Sequence, residues 1–278
     1  MRQRKLLTSL AMCNNLRQLV FLFLVFISSY SFAQQQLYDD YEKKAGMLME
    51  KIRAKTNSEE DKKELSRIAI GFQNYGQNFD QLSHDYINSL KYVDKAIAFF
   101  ICLDDTAGIA NNKKFNGYLL GRLKRFPEAK QEIKTAIELY SLLKRDNGVA
   151  VSQFDLAKVY ASENKIDSAI YYCDISSRFW KAKNDSGRIF NNQNMMIDLL
   201  TKMGDIKNAK ALQEETTKYN AAPKNHWLSV IDFYTVSIHL FTAANEKENV
   251  VRYEKLLDDK KAELKKQNIE AHSYYENE

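Results

Sequence analysis

Only two prolines and nine glycines occur among 278 residues. A many-stranded sheet needs frequent chain reversals, and so few turn formers cannot supply them. Ala, Leu, Lys, Glu, Ile and Tyr are plentiful instead, which suits long helices and makes the expected class all-α. Metal-ligand spacing is missing too. Cys13, Cys102 and Cys173 form no Cys-x-x-Cys pair, and His84, His226, His239 and His272 form no His-x-x-x-His pair, so a dedicated zinc site lacks its ligands. No phosphate-cradling run of glycines follows a strand-like segment. The adjacent acids Asp104-Asp105 and Asp258-Asp259 diverge around a helix axis or sit in a turn, unlike opposed catalytic carboxylates. Ser152 and Ser168 lack a nucleophile elbow, and Cys173 has only the remote His226 as a candidate base. The expectation is a protein without catalysis, cofactor or metal.

Excess charge is absent once the N-terminus is set aside. The chain carries 41 Lys+Arg against 36 Asp+Glu, but Arg2, Arg4, Lys5 and Arg17 fall within the first 33 residues, which hold no acid. From Gln34 onward the balance is 37 to 36, and no basic, aromatic-interleaved stripe follows, so nucleic acid is not an expected partner. Residues 1–33 read as a signal peptide: a basic start, the unbroken apolar run Leu19 to Ile27, then Ser31 and Ala33 at the −3 and −1 positions. Nine apolar residues fall short of the roughly 20 that span a bilayer, so cleavage before Gln34 and no membrane span in the mature chain are expected. Leu10-Ala-Met-Cys13 is a poor lipidation site because Met12 is large and the apolar run follows the cysteine. The two cysteines left after processing, Cys102 and Cys173, fall on helices too far apart in the array for a disulfide and are expected as buried free thiols.

What the chain does have is self-similarity. Ser89, Ala129, Ala169 and Ala209 stand forty residues apart, and seven positions on from each stand Ala96, Ala136, Ser176 and Thr216. Two small-residue columns with one period are the mark of stacked helical hairpins. A methyl or hydroxymethyl fits where helices cross closely, and a longer side chain forces the axes apart. The expected A helices are Ala110 to Arg122, Ala150 to Ser162 and Phe190 to Met203, and the B helices start near Pro127, Asp167 and Ile206. A first B helix is expected over Tyr86 to Leu103.

The clusters Asp104 to Gly108, Lys144 to Gly148 and Asn184 to Gly187 are expected as turns whose glycine takes the left-handed conformation. Upstream, Leu37, Tyr41, Ala45, Leu48 and Ile52 recur at helical steps, and Ser58 to Asp61 reads as a capping box. Gln73 to Ser83, with Gly76, is expected to hold a turn. Downstream, Ala221 to Asn225 breaks the helix, and Trp227 to Ala244 and Val250 to Asn268 form a further hairpin whose last helix caps the array. The boundaries are then 1–33 signal peptide, 34–57 N-terminal helix, 58–219 repeats, 220–270 additional hairpin and cap, and 271–278 a frayed tail.

Leu156-Ala157 with Tyr160, Ala169 and Ser176, repeated by Gly117, Leu120, Ala129 and Ala136, resembles the tetratricopeptide repeat in a longer, forty-residue form. Departures are the missing tryptophan at the A-helix starts, Asn116 in place of leucine and Ile197 at a small-residue site. The resemblance implies a right-handed superhelical solenoid of antiparallel helix pairs. It also implies a protein or peptide partner on the concave wall of A helices. By register Asn111, Lys114, Tyr118, Phe154, Lys158, Asn191, Asn194 and Asp198 project towards that wall, where amides can bond a peptide backbone and lysines a carboxylate. The same side chains also suit plain solvent exposure. Together with the export signal, the resemblance implies a periplasmic or secreted protein of a Gram-negative bacterium. Two other readings stay open: a free-standing or truncated extracytoplasmic sensor module of a signalling regulator, and a helical carbohydrate-processing enzyme, which would need clustered acids in a deep pocket.

Overall fold

The computed structural model describes residues 36–219 and 227–267. The expected signal peptide, the break at Ala221 to Asn225 and the tail from Ala271 lie outside these residues. Among the described residues there are eleven helices and no strand. Helix α1 spans residues 36–53, α2 Glu59–Ser83 and α3 Tyr86–Cys102. Three hairpins follow: α4 (Thr106–Arg122) with α5 (Phe126–Leu142), α6 (Asp146–Ser162) with α7 (Ile166–Lys183), and α8 (Ser186–Lys202) with the shorter α9 (Ile206–Thr217). The last pair is α10 (Trp227–Ala243) with α11 (Lys247–Lys266). The capping box at α2 is formed, with the Ser58 side chain accepting from the Asp61 N–H and the Asp61 side chain accepting from the Ser58 N–H.

The turns repeat at half the interval of the small columns. His84, Asp104, Lys124, Lys144, Asn164, Asn184 and Gly204 all have positive φ, and each lies twenty residues after the one before. After each of the last six, the next residue's N–H reaches a carbonyl five back, as Asp105 does to Phe100 (2.9 Å) and Arg145 to Tyr140 (2.9 Å). That bond closes the preceding helix in a Schellman arrangement. The same residue's carbonyl then accepts the first bond of the following helix.

This corrects the expectation for the glycine clusters. The left-handed residues are Asp104, Lys144 and Asn184, while Gly108, Gly148 and Gly187 lie inside α4, α6 and α8, which start four residues earlier than expected. Gly108 and Gly148 serve close packing instead. A Cβ on Gly108 would lie 2.4 Å from the Phe100 ring, and one on Gly148 2.5 Å from the Tyr140 ring.

The small columns are where the register puts them. Ser89, Ala129, Ala169, Ala209, Ala96, Ala136, Ser176 and Thr216 are all 0 % exposed. The turn expected over Gln73 to Ser83 is helix, and Gly76 belongs to a crossing. A Cβ there would meet Val93 at 2.8 Å and the Ser89 carbonyl at 3.0 Å, the same relation that Gly117 has to Ile133 and the Ala129 carbonyl. Ser89 Oγ donates to the Gly76 carbonyl across this contact (2.7 Å). Helix α2 holds one extra residue before its turn, so the Asp85 N–H reaches six back to Phe79. In α1, Ala45 and Leu48 are buried, but Leu37 and Tyr41 are exposed, contrary to the helical spacing. Tyr38 takes the inward place, stacked on Tyr75 with ring centroids 3.7 Å apart.

Each new A helix packs mainly on the preceding B helix until the last joint. There α10 packs chiefly on α8 and only lightly on the shortened α9. Phe190, Ile197, Ala209, Phe233, Val236, Leu240 and Tyr253 make one apolar cluster across this joint.

Candidate functional site

The A-helix wall is built by α4, α6 and α8. Asp155 on α6 links two repeats, with Lys114 Nζ of α4 at 4.0 Å and Lys158 Nζ at 3.4 Å. Lys158 also lies over the Phe154 ring, 4.5 Å from its centroid. The Tyr118 hydroxyl donates to Asp80 Oδ1 at 3.4 Å, and burial raises the Asp80 carboxyl above the usual carboxylate range. Tyr118 and Lys158 share a crevice of only ≈ 20 Å³ with Arg122, Asp155 and Ser162. Asn191 is exposed on α8.

Asn194 and Asp198 do not face an open wall. Both are buried, 2 % and 4 % exposed, because α10 packs over α8. Asn194 Nδ2 donates to the Ser229 carbonyl at 2.9 Å, and Asp198 lies 3.0 Å from Lys202 and 3.8 Å from His239. Asn116, the departure from the repeat pattern, is also buried and donates to Asp94 at 2.8 Å.

Asn111 and Lys114 open onto a larger feature, a cleft of ≈ 590 Å³ lined by residues of three successive hairpins. Its floor and rim come from Tyr140 at the end of α5, Lys144, Arg145, Asp146, Asn147, Gly148 and Val151 through the turn into α6, Lys183 of α7 and Arg188 of α8. Five cations therefore face a single acid. Among the described residues Lys144, Arg145 and Lys183 form no ion pair. Arg188 lies 3.7 Å from Asp185 and stacks over Trp180 at 4.5 Å. The buried Tyr140 donates its hydroxyl to Asn111 Oδ1, which leaves the Asn111 amide group as a donor.

The expected turn at Lys144 to Gly148 carries charge that its turn role does not require. The signal was in the register: forty residues before and after Lys144-Arg145 stand Asp104-Asp105 and Asn184-Asp185. Asp105 and Asp185 cap their helices with side-chain oxygens, whereas Arg145 supplies no side-chain cap to α6.

Cys173 is wholly buried, with Sγ 3.3 Å from the Asn192 carbonyl, and burial pushes its thiol far above the usual range. Cys102 is only partly buried, against the expectation of two buried thiols, and both are free. Among the described residues no cluster of three His, Cys, Asp or Glu could hold a metal, and no helix is long and apolar enough to cross a membrane.

The geometry defines an α-helical repeat array with an open, cation-lined cleft between consecutive hairpins. No family model and no curated protein sequence matches the chain. Solved structures do match. BtubC (BKLC) from P. vanneervenii is 12 % identical with a TM-score of 0.62, over 82 % of this chain and 92 % of that one. A structure of nearly identical TPR-like repeats from Podosopora anserina is 12 % identical with a TM-score of 0.57, over 72 % of this chain and 97 % of that one. A Rap protein complexed with competence and sporulation factor is 13 % identical with a TM-score of 0.52, over 75 % and 59 %. The chain has a tetratricopeptide-type helical-repeat fold.

Proposed function

We propose that the protein is an exported, non-catalytic scaffold that binds a protein or peptide partner through the A-helix side of its repeat array. The observation that carries this reading is the ≈ 590 Å³ cleft, which joins Asn111 and Lys114 of the A-helix wall to donors from the next two repeats. That volume is within the usual range for ligand sites. The architecture is shared with a Rap protein solved with a bound factor, which supports ligand capture by such an array. Export is supported by the basic start, apolar run and Ser31/Ala33 pattern of residues 1–33.

The test is a peptide array of mixed composition probed with the exported protein, whose N-terminus is expected at Gln34. A subset of peptides should be retained by the wild type and weakened about tenfold in Lys114→Gln/Lys158→Gln, a loss of about 1.4 kcal/mol. Circular dichroism is expected to be unchanged in that variant. If no peptide of any composition is retained, the scaffold reading fails.

A further inference from the structure

Resting on that reading, we infer that the cleft takes an acidic peptide segment, its carboxylates set against the cations of the α5–α6 turn and of α7 and α8. Lys144, Arg145, Lys183 and Arg188 are exposed and come from two turns some forty residues apart, α5–α6 and α7–α8, so their convergence is a product of the fold. Like charges held together repel, and Lys144, Arg145 and Lys183 have no carboxylate partner to offset that repulsion. Arg188 differs: its stacking on Trp180 pre-orients the guanidinium, which suits a planar, forked carboxylate contact. Arg145 stands at the start of α6, where the equivalent residues Asp105 and Asp185 are acids that cap their helices. A cation there adds to the positive helix end, which Asp146 in the first turn only partly offsets, so an incoming anion is favoured beside it.

A peptide fits better than a nucleic-acid backbone. Asn111 and Asn147 can bond main-chain amides, and Val151 with the Tyr140 ring offers apolar contact to side chains between the acids. A polyanionic strand needs a continuous basic track. Here Asp146 lines the cleft, Asp155 lies 4.0 Å from Lys114 and Asp185 lies 3.7 Å from Arg188, so the positive region is short and bordered by acids. From Gln34 on, the chain is also nearly neutral, which leaves little long-range attraction for a polyanion.

The test uses fluorescence anisotropy of the exported protein with a short labelled peptide alternating Glu and Ala, its Gln counterpart, an oligothymidylate of matched charge, and inorganic pyrophosphate as competitor. The Glu peptide should bind at least about tenfold more tightly than the Gln peptide and weaken with added salt. Arg145→Asp and Lys144→Gln/Lys183→Gln should each lose most of that preference, while Lys207→Gln/Lys255→Gln, the same charge change on exposed α9 and α11 positions, should keep it. Arg145→Asp should melt no lower than the wild type, since Asp supplies the missing cap, so its loss of binding is not unfolding. Equal binding of the Glu and Gln peptides, with array peptides still retained, overturns the acidic preference and leaves the scaffold reading standing. Oligothymidylate or pyrophosphate binding that matches the Glu peptide, with the same variant sensitivity, overturns the peptide assignment in favour of a phosphate ligand.

Discussion

Gly117→Ala is expected to lower stability by about 1 to 3 kcal/mol, although alanine is the better helix former. Its new Cβ would stand 2.4 Å from Ile133 Cγ1 and 2.9 Å from the Ala129 carbonyl oxygen. Ile133 is 0 % exposed and has nowhere to swing. The carbonyl is main chain within α5 and cannot move without moving the helix. Helices α4 and α5 must therefore separate, and the crossing that defines the hairpin loosens. Gly71→Ala supplies the opposite control. It is also helical, but no atom lies within 4 Å of its built Cβ, so the same change should raise stability by about 0.5 to 1 kcal/mol. Urea unfolding of the two variants checks the signs. In an Ile133→Ala background the Gly117→Ala penalty should shrink but persist, because the contact with the carbonyl remains. Equal effects of the two glycine substitutions would show that the crossing is not closely packed.

The same packing explains what could be read in the sequence. The columns at Ala129 and Ala136 were legible because burial at a crossing restricts the residue itself to a small one. The turns depart from the glycine expectation because glycine is only one way to occupy the left-handed region. Among the seven turn residues spaced at twenty, Gly204 alone is glycine, and Asp104, Lys124, Lys144, Asn164, Asn184 and His84 fill the others. A left-handed non-glycine residue costs about 1 to 2 kcal/mol locally, and the closing hydrogen bonds of each turn offset it. The nearby Gly108 and Gly148 are set instead by the Phe100 and Tyr140 rings across the helix interface. Gly76 was hidden by the extra residue in α2, which displaces it by one from the forty-residue register.

The candidate face divides along similar lines. Helical register alone orients Lys114, Tyr118 and Lys158, and their surroundings come from the regularly stacked α2, α4 and α6. Asn194 and Asp198 have the same register on α8, but a helix from beyond Trp227 covers them. No local pattern announces that contact. The charge of Lys144-Arg145 was visible, but its meaning depends on Lys183 and Arg188, some forty residues on, closing the other side of the cleft.

Phe190→Ala is expected to cost about 3 to 5 kcal/mol, the range for deleting a fully buried aromatic ring. Phe190 is 0 % exposed, and its ring centroid lies 5.4 Å from that of Phe233 on α10. Through Phe233 the aromatic contacts continue to Tyr253 of α11, 6.1 Å away, whose hydroxyl accepts from Gln213 Nε2 of α9 at 2.6 Å. The ring thus sits where four helices meet. In a repeat array, stability is approximately a sum of unit and interface contributions, so a cavity here should act mainly on the interface it opens. Hydrogen exchange should rise first in α10 and α11, while α3 to α7, whose own crossings are untouched, keep most of their protection. Asn194 reports the same event. Its bond to the Ser229 carbonyl spans α8 and α10, so its side-chain amide protons should exchange faster in the variant. A uniform rise from α3 through α11 would show instead that the array unfolds as one unit and that the shortened α9 marks no joint.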